Sequence, residues 1–171
     1  MKKLVRVLGK VLPVMFAVTL LLSCSSSQPE LEQWQNRKVP MTRVAFTDGE
    51  YRLLTPYDGK SRAIMFWASW CSSSKAEIER FEALAKKHQG ISDVEFIAVS
   101  IDEQKDWSRV DGVIQSLSLW SIRHGFSGNG PADEAYLAYG FREVPVLLYI
   151  SPRGDILQIG DSVSDLEIPL S

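Results

Sequence analysis

Residues 62–77 read R-A-I-M-F-W-A-S-W-C-S-S-S-K-A-E, and the pattern changes period partway through. Residues 63–67 are an unbroken apolar run, which predicts a buried strand. Over residues 75–86, Ile78, Phe81, Leu84 and Ala85 fall on one face of a helix predicted to run from about 72 to 88. Cys71 therefore stands where a strand hands over to a helix N-terminus. Unpaired backbone N–H groups at such an end can stabilise a thiolate, the reactive form of cysteine. A strand feeding straight into a helix, followed by a second buried strand V-E-F-I-A-V-S at 94–100, predicts α/β architecture with a parallel pair.

The rest of the chain adds elements around that unit. Residues 44–46 and 51–54 are short strand-like runs flanking the turn signal Asp48-Gly49, and 56–59 is a second turn. Gln89 and Gly90 stop the first long helix. Residues 107–119 carry Val110, Val113, Ile114 and Leu117 at helical spacing, weakened by Gly112. Residues 120–130 read as a glycine-containing loop with room for one short strand, and 131–139 as a short helix begun by Pro131 and ended by Gly140. V-P-V-L-L-Y-I at 144–150 is a strand with a proline at its entrance. A turn at 151–155 leads to its hairpin partner at 156–159.

The W-C segment and the pattern Gly140, Val144, Pro145, Ile150, Gly154, Ile156 resemble the thioredoxin-like superfamily, in particular its membrane-tethered thiol–disulfide oxidoreductases. The resemblance covers roughly residues 44–160. It implies a central mixed sheet flanked by helices, with an extra N-terminal β-hairpin. It also implies a final amphipathic helix, for which the segment after Gly160, interrupted by Pro169, leaves little room. A shortened or missing final helix is expected, with part of one sheet face covered by something else.

In that group W-C-x-x-C opens the helix; here Cys71-Ser72-Ser73-Ser74 puts serine at the second cysteine position. Cys71 is the candidate nucleophile, set against a buried structural cysteine. Ser74 cannot form a sulfur–sulfur bond; it can donate a hydrogen bond to Cys71 or cap the helix. By resemblance Pro145 follows a cis bond and Val144 offers a backbone partner beside the thiol, whereas an isolated proline would be trans. Trp70 is expected to shield the thiol, partly exposed, and Trp67 to lie in the core. Glu77 matches an acidic position of the group that tunes the site, and reads equally as a solvated surface glutamate.

The N-terminus begins Met1-Lys2-Lys3 and continues into a mostly apolar run over 11–22. That is the charge order of a secretory signal. Leu21-Leu22-Ser23-Cys24 resembles a bacterial lipobox, which implies cleavage before Cys24 and lipidation of its thiol; a short signal anchor is the alternative. The domain reading is a signal peptide over 1–23, a polar lipidated tether over 24–38 and a thioredoxin-like domain over 39–171. Ser25, where a retention aspartate would hold such a protein in the inner membrane, favours the outer membrane, facing the periplasm. The chain has two cysteines, so a lipidated Cys24 leaves Cys71 as the single thiol, with no internal disulfide.

A net charge of −2 gives no sign of a nucleic-acid partner. His88 and His124 lack metal-ligand spacing, and no phosphate-binding glycine loop or serine elbow is present, so neither a metal nor a cofactor is expected. The expected partners are the lipid bilayer through Cys24 and a protein or small molecule carrying a thiol or disulfide. Nothing in the sequence sets an oligomeric state. The leading expectation is a monothiol exchange protein whose Cys71 forms mixed disulfides with client thiols. A non-catalytic module binding an extended peptide or partner protein is the alternative. A one-cysteine peroxidase is weaker, because residues 62–69 contain no proline where the peroxidatic pattern requires one.

Overall fold

The computed structural model describes residues 29–55 and 58–170. The expected signal segment 1–23, Cys24, and Pro56 and Tyr57 of the second predicted turn lie outside the described residues. The central strand β3 (Ser61–Trp67) explains the apolar run by serving two cores. Ile64 and Phe66 enter one, Ala63, Met65 and Trp67 the other, and all five are fully buried. Side chains alternate across a strand, so a strand covered on both faces must be apolar at every position.

β3 pairs in parallel with β4 (Val94–Ser100) and antiparallel with β6 (Val146–Ile150). With β5 (Arg123–Phe126) outside β4 and β7 (Ile156–Gly160) outside β6, the sheet order is β5-β4-β3-β6-β7. This is the mixed sheet that the resemblance implied. Helices α2 (Ser72–His88) and α3 (Trp107–Ser116) cover one face through Ile78, Phe81, Val110 and Ile114. Helix α4 (Glu134–Tyr139) covers the other through Ala135, Tyr136 and Tyr139.

Two predicted bounds move. The helix expected over 107–119 ends at Ser116, because Ser118 turns left-handed (φ 51°) and drops Leu119 into the core. Pro131 lies in a separate 3-10 turn, Gly130–Ala132, and α4 begins only after Asp133, whose carboxylate accepts from the Tyr136 N–H at 3.0 Å. Gly140 ends α4 in the left-handed conformation (φ 67°), as expected.

The N-terminal hairpin, β1 (Arg43–Ala45) with β2 (Tyr51–Leu53), docks on the edge of β5, where Phe46 bridges to Gly125. A Cβ on Gly125 would stand 2.4 Å from Val44 Cγ1, so this close approach requires glycine. Arg62 pins the hairpin from inside. It donates to the Leu53 and Leu54 carbonyls at 3.0 and 2.9 Å and to Glu95 at 2.9 Å.

The polar stretch assigned to a tether over 24–38 is not all tether. A turn of helix, α1 (Pro29–Glu32), and the residues after it lie on the domain. Leu31 is buried and Trp34 packs beside Tyr139 and Phe141. The Asn36 N–H donates to the Ile156 carbonyl and the Ile156 N–H to the Arg37 carbonyl, both at 2.8 Å. Two apolar side chains three apart gain enough by burial to dock a segment whose composition reads as linker. At the other end, a capped 3-10 turn, Val163–Asp165, follows β7. Val163, Leu166 and Ile168 join the α2-side core, which answers what covers the face where a final helix was expected.

Candidate active site

After Trp67 the chain leaves the sheet, turns through residues 68–70 and enters α2 with Cys71 as the N-cap. The Cys71 N–H donates to the Ala68 carbonyl and the Lys75 N–H to the Cys71 carbonyl, both at 3.1 Å. The sulfur is thus set against the open N–H groups of the first helical turn. Trp67 is fully buried, while Trp70 is 57% exposed beside the thiol.

Two contacts define the sulfur. The Cys71 thiol reaches the Val144 carbonyl at 3.5 Å, and Ser73 Oγ lies 3.1 Å from Sγ. The Val144–Pro145 peptide bond is cis. Register brings these parts together, since Phe66 at the end of β3 stands opposite Val146 at the start of β6.

Partial burial pushes the Cys71 thiol up. The hydroxyls of Ser73 and Ser74 and the N–H groups of both residues pull it further down, leaving it below an ordinary thiol. Ser74 is buried at the third helical position, so the N-cap role that its residue type allowed belongs to Cys71 instead. By distance and angle Ser74 Oγ makes no hydrogen bond to the neutral thiol. Ser73 is therefore the hydroxyl in contact with the sulfur.

Glu77 is not a solvated surface residue. It is buried, accepts from the Val163 N–H at 2.7 Å and from the Ser162 hydroxyl at 3.3 Å, and pairs with Arg80. Its carboxylate fastens the C-terminal segment to α2.

The sequence reading missed several groups around the thiol. Asp102, at the exit of β4, is 1% exposed and accepts from Ser69 N–H at 2.9 Å, Ser69 Oγ at 2.6 Å and Ser100 Oγ at 2.7 Å. Tyr136 OH donates to the Glu143 carbonyl at 3.2 Å, next to Val144, and burial with the nearby Glu143 charge pushes its phenol up to about 12. An acid ending a buried parallel strand, on the edge where Cys71 emerges, was the available signal for Asp102. Ser73 and Tyr136 carried none beyond their neighbours. His88 and His124 are apart from the thiol: His88 bonds Ser92 and His124 the Leu119 carbonyl, and burial lowers the pKa of both. A polar cleft lined by His88, Glu95, Ser121 and Arg123 opens near the amino end of β4, away from Cys71.

Comparison with known proteins agrees with this fold. The sequence profile of the thioredoxin-like family matches residues 59–156. The thiol-disulfide oxidoreductase ResA of Oceanobacillus iheyensis is 30% identical over 107 residues, 62% of this chain and 52% of that protein. The chain thus spans about half the length of that curated relative. A thiol-disulfide oxidoreductase from Bacteroides fragilis superposes with a TM-score of 0.64 at 19% identity, over 77% of this chain and 92% of that one. StoA from Bacillus subtilis gives 0.59 at 21%, over 71% and 87%. At these identities the structural likeness is one of fold.

Ser73→Ala should weaken the stabilisation of the thiolate. A hydrogen bond at a part-exposed site is worth about 0.5–1.5 kcal/mol. Higher intrinsic nucleophilicity of the more basic thiolate offsets part of the loss, so alkylation near neutral pH should slow by roughly two- to fivefold. The half-point of the pH–rate profile should move up. Because folding lowers the Cys71 pKa, its contribution to stability is present above the unfolded pKa and lost as pH falls through the folded one. An unchanged profile in Ser73→Ala would remove the hydroxyl from the account of the thiol.

Proposed function

The chain belongs to the thioredoxin-like family, and from that premise we propose that it is a monothiol exchange protein acting through Cys71. The observation that carries the reading is the thiol at the α2 N-cap, with its pKa lowered, facing the Val144 carbonyl at 3.5 Å. The Cys71 thiolate attacks a client disulfide, forming one Cys71–sulfur bond and expelling the client's other sulfur as a thiolate. A second thiolate must then attack the mixed disulfide to restore Cys71. Ser74 occupies the position from which an internal thiol would do so, and among the described residues Cys71 is the one free cysteine. An external low-molecular-weight or protein thiol therefore completes the cycle. As Cys71 ionises, the Val144 carbonyl loses its thiol donor and becomes available to an N–H of an extended client chain, beside the exposed Trp70.

The same groove supports the second reading, a peptide-binding module without turnover, and one experiment separates the two. Ser74 is fully buried with its hydroxyl unpaired, so a thiol of similar size fits there. Oxidised Ser74→Cys should run as an intramolecular disulfide and reduce a protein disulfide faster than wild type when a reductase supplies the electrons. Wild type should form mixed disulfides that vanish in Cys71→Ser on a thiol-trapping gel. Wild-type turnover equal to that of Ser74→Cys without added thiol would sink the monothiol account. A Cys71 unreactive in both proteins would leave the binding module.

We further propose that Cys24 carries a lipid anchor and that the domain faces the periplasm from the outer membrane. Support comes from the basic start, the apolar run and Leu21 to Cys24. Intact mass of membrane-extracted protein should show lipid-modified Cys24 as the first residue; a mature soluble chain beginning elsewhere would refute the anchor.

A further inference from the structure

We propose that Asp102 is a positioning residue for Cys71: its carboxylate fixes Ser69, and through Ser69 the loop that presents the sulfur to Val144 and Ser73. This rests on the reading of Cys71 as the reacting thiol. Asp102 is 1% exposed, and no cation pairs with it among the described residues. The Asp102 carboxyl is held by hydrogen bonds alone, and removing it would strand the Ser69 and Ser100 donors. Its donors show what it is attached to. Ser69 gives it both N–H and Oγ, at 2.9 and 2.6 Å, and Ser100 gives Oγ at 2.7 Å. Asp102 is itself fastened to its own strand and to the loop before α4. Its N–H donates to Ser100 Oγ at 3.1 Å, and its carbonyl accepts from Gly130 N–H at 3.2 Å.

The loop needs such an anchor. Between Trp67 at the end of β3 and the N-cap at Cys71 lie Ala68, Ser69 and Trp70. Trp70 projects into solvent, and Ala68 has only a methyl group to pack. Ser69 is therefore the one loop side chain tied to a second strand by directed bonds. Rotation about it would carry the sulfur away from a carbonyl at 3.5 Å and a hydroxyl at 3.1 Å, separations that lose their interaction within a few tenths of an ångström.

The test is the pH–rate profile of Cys71 alkylation in wild type, Ser69→Ala, Asp102→Asn and the double variant. Arg62→Met, which destabilises the domain from the hairpin side, is the control. Ser69→Ala removes the hydroxyl bond and leaves the Asp102 side chain in place, so it tests the link through Ser69. Its half-point should move up and its neutral-pH rate fall several-fold, with a native circular-dichroism spectrum. The double variant should react no more slowly than the slower single one, because the two groups act through one bond pair. Arg62→Met should follow the wild-type profile. The proposal is overturned if folded Ser69→Ala superimposes on wild type, if the two single effects add, or if Arg62→Met shifts as far as Ser69→Ala. Should Asp102→Asn fail to fold, Ser69→Ala against Arg62→Met decides alone. A wild-type Cys71 that does not react would instead strike the exchange reading itself.

Discussion

Burial of β3 on both faces is the constraint from which the site follows. Ile64 and Phe66 belong to one core and Ala63, Met65 and Trp67 to the other, so a slip of one residue would exchange the two sets against differently shaped partners. Burying Ile64, Met65 and Phe66 contributes about 1.5–3 kcal/mol each. The strand's register against β4 and β6 is thereby fixed, and with it the place where the chain leaves the sheet. Cys71 emerges beside the start of β6, at a helix end whose free N–H groups favour a thiolate.

Around that point the structure has built a closed set of contacts. Asp102 holds Ser69 on one side of the sulfur. On the other, Tyr136 OH reaches the Glu143 carbonyl next to Val144. The 127–133 loop joins the two sides through Gly130 and Asp133. The site is ordered by groups that take no part in bond exchange, while Ser74, at the position that would divide an exchange enzyme from a trap, is a buried hydroxyl with no partner at rest. Among the described residues Cys71 is the one free cysteine, which is the ground of the proposed monothiol cycle.

Much of this was legible in the sequence because it is local. Residues 63–67 gave the central strand, the spacing of Ile78, Phe81 and Ala85 gave α2, and Gly140 gave the end of α4. Long-range groups were not legible. Glu77 reads as a surface glutamate until Val163 and Ser162 are brought onto α2. Leu31 and Trp34 are lost in a polar stretch until β7 and the aromatic cluster supply a surface. Ser69 and Asp102 look like ordinary polar residues at strand ends, and their meaning depends on β3 and β4 running in parallel side by side. Ser74 holds the position of the family's second cysteine, yet the Ser73 hydroxyl is the one in contact with the sulfur.

The central claim is that Cys71 exchanges disulfides with no internal thiol to complete the cycle. Its most direct test is the release kinetics of a preformed mixed disulfide between Cys71 and a fluorescent cysteine peptide. In thiol-free buffer the complex should persist. On addition of a small thiol, the peptide should leave at a rate first order in that thiol and rising with its thiolate fraction. Release at a rate independent of added thiol would contradict the account, because it would require a resolving group within the protein.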